Sequence, residues 1–190
     1  MQLLAHPAAP RGPVRSFEVQ AQRSGDGSLR LGWRLDADLA QINVPAFGAP
    51  ARADRLWRHT CFEAFIAGPR SPAYCELNFS PAGTWAAYGF TSYRAGMTPL
   101  DLPAAPDARW RRTTMELELD VLLRTADILP GAGAGPLRLA LAAVIEEQSG
   151  TMTYWSLAHP AVKPDFHHPE AFILELAGLD TGALRGPLRS

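Results

Sequence analysis

Acidic and amide side chains at mid-strand positions of the segment 56–94 are the residues best suited to hold a polar ligand. Glu63 stands among apolar residues in the run 61–66, and Glu76 and Asn78 stand likewise in the run 74–79. An unpaired buried charge costs several kcal/mol, so these side chains fit poorly into a dry core. The sequence therefore predicts that all three lie on the outer, wetter face of a sheet, where a ligand can meet them.

A second group of polar side chains lies in the proline-rich loop 158–169, which follows Tyr154 and Trp155. Its three prolines restrict the backbone and pre-position the neighbouring side chains, and binding residues are often found on loops held by a rigid scaffold. One interpretation is ligand recognition. The other is that the polar residues only fasten the loop to the domain. The residues concerned are His159, Lys163, Asp165, His167 and His168.

Trp57 and Trp155 lie beside turns or polar clusters and are candidates for an apolar contact with a ligand. Aromatic faces stack against the C–H side of sugar rings, while carboxylates, amides and arginine bind the hydroxyl groups. The alternative is ordinary packing, because a domain of this size needs large aromatic residues in its core.

Overall composition excludes several classes of protein. The chain has 190 residues, 47% of them hydrophobic and 19% charged, with a formal net charge of −1. Because it lacks a basic cluster, we expect no nucleic-acid partner. Residues 1–7 have no signal-peptide pattern, and no apolar run approaches membrane-spanning length. We therefore expect a cytoplasmic protein without a membrane partner.

The elements around these residues are predicted to be short strands. Residues 14–22 and 29–35 alternate around a Ser-Gly-Asp-Gly turn and predict a hairpin. Further strands are expected over 61–66, 74–79, from 84 through Phe90 toward Arg94, over 110–120, 137–143, 151–157 and 171–176. A helical turn over 121–124, capped by Asp120, is also expected.

About ten strands with frequent turn signals predict an all-β fold, an antiparallel two-sheet β-sandwich of jelly-roll-like type. We expect one domain over residues 1–190, with 1–13 forming a loose arm or a short edge strand and 178–190 a frayed tail. Alternation places Cys61 and Cys75 on opposite faces, so both are predicted to be free thiols. The predicted core residues are Leu31, Trp33, Leu77, Phe79 and Leu117.

Several motifs resemble those of the bacterial DOMON-like domains, a group that is similar to the type 9 carbohydrate-binding modules. They read Leu-Trp-x-x-Thr-Cys-Phe-Glu-Ala-Phe at 56–65, Tyr-x-Glu-x-Asn-Phe-Ser-Pro-x-Gly-x-Trp-Ala-Ala-Tyr at 74–88, Tyr-Arg at 93–94 and His-Pro-x-x-Lys-Pro-Asp-Phe-His at 159–167. The resemblance, which covers most of the chain, implies a β-sandwich whose concave face or rim binds a sugar or, in some members, haem.

The resemblance implies no catalytic activity. Sugar-binding relatives hold a terminal sugar between two tryptophans, and Trp57 and Trp155 are the candidates for that pair. Haem-binding relatives use methionine and histidine ligands, but no methionine of this chain lies in such a motif. We therefore expect no cofactor.

The sequence thus predicts a non-catalytic domain that binds a small carbohydrate or a nucleotide sugar, with no assigned catalytic residue or metal ligand. The alternatives are a metal-dependent enzyme using the 159–168 loop and a protein-interaction module, whose partner the sequence does not identify. The predicted ligand-binding residues are Trp57, His59, Glu63, Glu76, Asn78, Arg94, Trp155, His159, Lys163, Asp165 and His167.

Overall fold

The computed structural model describes residues 1–10, 12–129 and 134–179. These residues form two sheets, and the larger has nine strands in the order β1-β12-β11-β5-β6-β7-β4, with β13 also paired to β11 and β8 to β7. Its strands are β1 (Leu4–Ala5), β4 (Ala51–Arg52), β5 (Cys61–Ala67), β6 (Tyr74–Phe79), β7 (Thr84–Phe90), β8 (Thr98–Pro99), β11 (Leu137–Glu146), β12 (Met152–Ser156) and β13 (Leu174–Leu176).

The smaller sheet has four strands in the order β2-β3-β10-β9, and it packs against the larger one as a sandwich. Its strands are β2 (Val14–Arg23), β3 (Ser28–Ala37), β9 (Asp107–Arg112) and β10 (Glu116–Arg124). The strand pairs are antiparallel apart from the short parallel pair β4–β7. The predicted antiparallel two-sheet sandwich is therefore confirmed. The two-residue strands β1, β4 and β8 are too short to give a periodic sequence signal.

The core between the two sheets is built by strict alternation. Phe62, Ala64 and Ile66 of β5 point into it, and the five predicted core residues are all at most 2% exposed, which confirms that prediction. The Trp33 indole N–H donates to the Ala142 carbonyl at 3.3 Å, so this large side chain is buried without losing its hydrogen bond.

The outer face of the larger sheet is also buried, by a second apolar cluster. Phe65, Tyr74 and Phe90 of the sheet pack there against Phe166 and Phe172. We call residues 164–172 the covering segment, because they lie over the outer face at this point. As a result, every residue of β5 and β6 is buried, so this face is not the wet surface that alternation alone suggested.

The two cysteines agree with the sequence prediction. Cys61 lies on the outer face within 3.8 Å of Asn78 Oδ1, whereas Cys75 lies in the inner core, and both are free. Burial raises the pKa of the Cys75 thiol to about 12 and raises that of Cys61 as well. Neither thiol is therefore suited to act as a nucleophile.

Two predictions in the segment 110–124 are wrong. Instead of one strand over 110–120 there is a hairpin, in which β9 ends at Arg112 and β10 begins at Glu116. The hydroxyl of Thr113 accepts the backbone N–H of Met115 and Glu116 and so builds the turn without glycine or proline. The helical turn, expected over 121–124, is the four-residue helix α1 (Thr125–Ile128).

Strand ends also differ from expectation near the outer face. β7 ends at Phe90, because a tight turn follows in which Arg94 adopts a positive φ of 53°. β13 begins at Leu174 instead of residue 171, since a 3-10 turn at Pro169–Ala171 comes first, capped by the His168 side chain.

The chain termini are only partly described. Residues 4–5 form β1 at the sheet edge, paired with β12, and Leu3 is buried. The predicted frayed tail falls mostly on residues 180–190, which lie outside the described residues. No helix within the described ranges is long and apolar enough to cross a membrane.

Leu77→Ala should destabilise the protein by about 2–5 kcal/mol, because it removes a fully buried side chain from the inner core and leaves a cavity. The matched control is Leu122→Ala, since Leu122 is 41% exposed on β10, and its cost should stay within about 0.5 kcal/mol. Denaturant melts of both variants measure this. Equal losses would contradict the assignment of Leu77 to the core.

Candidate functional site

A cavity of about 360 Å³ lies on the outer face of the larger sheet, between β5, β6 and the covering segment. Strands supply its floor, while the loop after β7, the covering segment and the 3-10 turn Leu56–Arg58 supply its walls. It is lined by Trp57, Glu63, Glu76, Phe90, Arg94, Met97, Val144, Tyr154, Pro164, Phe166 and His167.

Sheet register explains why this cavity has a polar floor with space above it. Glu63 of β5 lies directly between Asn78 of β6 and Ala142 of β11, and Ala86 of β7 lies on the far side of Asn78. Directly paired residues project to the same face. The two alanines at the ends of this row leave room that larger side chains would fill.

Glu63 is the polar group of the cavity floor that lacks a hydrogen-bond partner among the described residues. It is 3% exposed, and its Oε1 atom is buried with no hydrogen-bond partner among the described residues. Burial raises the pKa of this carboxyl well above its ordinary value, and the neighbouring charge of Glu76 raises it further. The protonated form is thereby favoured, and a protonated carboxyl can donate one hydrogen bond and accept others.

Glu76 is held in a fixed orientation by Asn78. The Asn78 amide donates to Glu76 Oε1 at 2.6 Å, and Asn78 itself is fully buried. Burial raises the pKa of Glu76, while the Asn78 hydrogen bond and the Arg94 charge act in the opposite direction. Glu76 Oε2 is not engaged by Asn78 and lies 3.7 Å from His167 Nε2, so a ligand hydroxyl placed over both atoms can bond to both.

A hydrogen-bonded network fixes the polar wall beside this floor. Tyr74 Oη lies 2.8 Å from His167 Nδ1 and accepts the backbone N–H of Arg94 at 3.2 Å. Asp165 accepts bonds from the Arg94 guanidinium at 2.8 Å, from the backbone N–H of His167 at 3.1 Å, and from the Tyr93 hydroxyl. These bonds join the loop after β7 to the covering segment, and they hold Arg94 in its left-handed conformation.

The imidazole of His167 is neutral at neutral pH. Burial lowers its pKa to about 4, and the nearby Arg94 charge contributes to the shift. The Phe65 ring packs against it with a centroid distance of 4.9 Å. His167 therefore offers a hydrogen-bonding group without adding positive charge to the cavity.

The remaining walls are apolar and largely aromatic. Trp57 packs edge-to-face against Tyr88 at 5.9 Å, and the Tyr88 hydroxyl donates to Asp54 at 2.6 Å. Tyr154 and Phe166 pack together at 6.2 Å on the other side. The cavity thus combines apolar surfaces with a few fixed polar groups, as small-molecule sites commonly do.

Five of the eleven predicted ligand-binding residues line the cavity: Trp57, Glu63, Glu76, Arg94 and His167. Two more lie directly behind it, since Asn78 orients Glu76 and Asp165 holds Arg94. The prediction that Glu63, Glu76 and Asn78 occupy a wetter face needs correction. They do share the outer face, but the covering segment and its aromatic residues bury them.

The predicted pair of tryptophans required Trp155 to face Trp57 across the ligand, and this prediction is wrong. Trp155 pairs with Ala143, whose side chain lies in the inner core, and it packs against Phe17 of the opposite sheet at 6.1 Å. Its neighbour Tyr154 pairs with Val144 and takes the cavity side. Alternation allows only one of two adjacent aromatic residues to reach a given face.

Three other predicted residues lie away from the cavity. His59 Nδ1 lies 2.8 Å from Glu146 Oε2, His159 Nε2 lies 2.8 Å from the Leu4 carbonyl, and Lys163 is exposed on the loop. The contact of His159 with Leu4 fastens the loop to β1, which fits the second interpretation of this loop. Burial lowers the pKa of His159. Within residues 1–10, 12–129 and 134–179, no group of three or more metal-ligating side chains is found.

Sequence reasoning missed the apolar lining residues Phe90, Met97, Val144, Tyr154, Pro164 and Phe166. The strand residues among them were compatible with plain core packing, and the others lie in loops, where no alternation indicates a face. Tyr154 could have been found from the pairing of β12 with β11, because it faces Val144 and therefore cannot share a face with Trp155.

Comparison with known proteins gives a fold neighbour and no family. No family model and no curated protein matches the chain. A candidate carbohydrate-binding protein from Bacteroides uniformis has a similar structure, with a TM-score of 0.67 and 15% identity over 93% of this chain and 84% of that one. A family 9 carbohydrate-binding module from Caldicellulosiruptor kristjanssonii, solved with glucose, aligns with a TM-score of 0.43 and 9% identity, covering 78% and 69%.

Glu63→Gln should stabilise the protein increasingly as the pH rises above 4.5, the ordinary pKa of this carboxyl. With the folded-state pKa raised, the unfolded state loses its proton first, so the stability linked to Glu63 is full below that pH. It is lost as pH rises through the folded-state pKa. The glutamine cannot ionise and avoids this loss.

The measurement is the difference in melting midpoint between Glu63→Gln and the parent protein at several pH values from 4 to 9. Each kcal/mol corresponds to about 2–4 °C for a chain of this length. A difference that stays constant across the series would contradict the burial of an ionisable carboxyl at this position.

Proposed function

We propose that this protein is a non-catalytic binding domain that holds a small, neutral carbohydrate in the outer-face cavity. The observation that carries the proposal is Glu63, whose buried Oε1 atom has no partner among the described residues and faces a cavity with aromatic walls. A buried polar atom without a partner costs about 1–3 kcal/mol. A ligand hydroxyl that bonds to Glu63 offsets that cost.

Sugar hydroxyls suit the polar groups of the cavity because each hydroxyl both donates and accepts. A protonated Glu63 does the same, and Glu76 is oriented by Asn78 to accept. Arg94 and His167 add hydrogen-bonding groups on the adjacent wall. Together they offer contacts to several hydroxyls of one ring.

The aromatic walls suit the C–H faces of the same ring. Trp57, Tyr154 and Phe166 bound the cavity on sides away from the carboxyl floor. Aromatic side chains supply a large apolar contact area at a small entropic cost. We propose Trp57 and Tyr154, instead of Trp57 and Trp155, as the aromatic groups that contact the sugar.

The charges favour a neutral sugar over a nucleotide sugar. Arg94 is the one cationic side chain among the described residues that line the cavity, and Asp165 already pairs with it. Two carboxyls form the floor, so a diphosphate placed there would meet repulsion whenever either is ionised.

Two further findings support the proposal. The Bacteroides uniformis protein with this fold is itself described as a candidate carbohydrate-binding protein. The motifs at 56–65, 74–88 and 159–167 resemble the DOMON-like domains, and seven of the eleven cavity-lining residues come from those motifs and the Tyr-Arg pair at 93–94. We also propose that the chain belongs to the DOMON-like group.

The proposal is tested by a thermal-shift screen of neutral mono- and disaccharides, with nucleotide sugars as a separate arm, followed by calorimetric titration of any hit. At least one neutral saccharide should raise the melting midpoint. If only nucleotide sugars bind, the neutral ligand class is wrong. If neither arm gives binding, the proposed function is wrong.

Trp57→Ala and Glu76→Gln should each weaken the binding of the saccharide found in the screen by roughly 5- to 150-fold. This factor corresponds to about 1–3 kcal/mol per lost contact. The control is Glu18→Gln, since Glu18 is exposed on the smaller sheet, far from the cavity in the fold. It should bind as the parent does. Normal binding by both cavity variants would place the sugar elsewhere.

A further inference from the structure

We propose a second ligand site beside the first, for a small carboxylate with an apolar body, at a pocket of about 240 Å³ near the ends of β5 and β11. Its walls include Pro72, Tyr93, Pro169 and Phe172, and Arg138 is its cationic side chain among the described residues. The site does not depend on the proposed sugar binding, because Arg138 does not line the sugar cavity, although His167 borders both.

The pocket exists because a small residue lies between two large ones on the outer face. Ala67 of β5 pairs with Arg138 on one side and with Tyr74 on the other. The side chains of paired residues project to the same face, so the missing bulk at Ala67 leaves space between them. The Phe172 ring closes one side and packs edge-to-face on Tyr74 at 5.6 Å.

Arg138 is the residue that we expect the ligand to bind. Its Nε atom is buried without a hydrogen-bond partner, and its contact among the described residues is with the Phe172 ring, 5.9 Å from the guanidinium. Glu175 pairs with it across β13, yet no ion pair forms between the two within the described part of the chain. Arg138 as a whole is half-buried, so a ligand can reach its guanidinium. The buried Nε donor without a partner is costly, and a ligand acceptor that bonds to it offsets that cost.

A carboxylate is the group that best satisfies this arginine. The planar guanidinium binds a carboxylate through two parallel N–H···O bonds, which are stronger than bonds between neutral groups. A monoanion is favoured over a phosphate dianion, because the surrounding proline and aromatic walls make each additional buried charge expensive.

The rest of the ligand should be apolar and compact. Three of the four hydroxyls at the pocket are engaged within the protein: Tyr74 with His167 and Arg94, Tyr93 with Asp165, and Ser71 with the backbone N–H of Ala73. The Ser92 hydroxyl is the fourth, so a sugar would leave most of its own hydroxyls unpaired there. The volume lies below the range of about 300–1,000 Å³ usual for larger ligands, so a single ring with a carboxylate is the expected size.

Benzoate is the probe for this site, with benzyl alcohol as an uncharged molecule of similar shape, in NMR titrations of the full chain at millimolar concentrations. Benzoate should shift the resonances of Arg138 and Phe172 and bind at least about tenfold more tightly than benzyl alcohol, the difference that one charge-assisted hydrogen-bonded pair supplies. Equal affinity for the two probes, or no shift at these residues, would overturn the proposal.

Arg138→Gln should remove the preference for benzoate, whereas Arg109→Gln, at an exposed arginine on the smaller sheet, should keep it. Ala67→Leu fills the pocket without changing any charge and should abolish binding of both probes, which keeps the test decisive if Arg138→Gln does not fold. Unchanged benzoate binding in a folded Arg138 or Ala67 variant would also overturn the proposal. Benzoate binding is measured directly, so a failed sugar screen does not affect the result for this second site.

Discussion

The burial of both faces of the nine-stranded sheet is the constraint on which the rest of this structure depends. One face packs against the four-stranded sheet through alternating apolar residues. The other is covered by loops, chiefly the covering segment 164–172, and loops cannot match a pleated surface as closely as a second sheet does. Space therefore remains over Glu63, between Ala142 and Asn78, and over Ala67, between Arg138 and Tyr74.

The same few bonds both attach the covering segment and divide the space beneath it. His167 and Tyr74, joined at 2.8 Å, stand between the carboxyl-floored cavity and the arginine pocket, and His167 lines both. Asp165 anchors the arrangement by accepting bonds from Arg94, Tyr93 and the His167 backbone. A cavity with two carboxyls in its floor and a pocket with one arginine thus lie on one sheet face, separated by a neutral imidazole.

The sequence predicts the features that depend on local alternation. It placed Glu63, Glu76 and Asn78 together on one face, and Cys61 and Cys75 on opposite faces, because a strand has a period of two whatever packs on it. It did not show that this face is covered, since the covering residues are distant in the chain. Trp155 was assigned to the wrong side because its facing depends on the pairing of β12 with β11. The hairpin at Thr113 was missed because a threonine hydroxyl, instead of glycine or proline, builds the turn.

The contact between Tyr74 and His167 joins residues 93 positions apart, and this separation has a consequence for the order of folding. The strands that carry Glu63 and Glu76 are adjacent in the chain and can pair early, while contacts of long sequence range are slower to form. The covering segment is what removes the two carboxyls from water, because their strands alone leave this face open. The free-energy cost of dehydrating the carboxyls is therefore linked to the contacts of a segment that lies about 90 to 100 residues further along the chain.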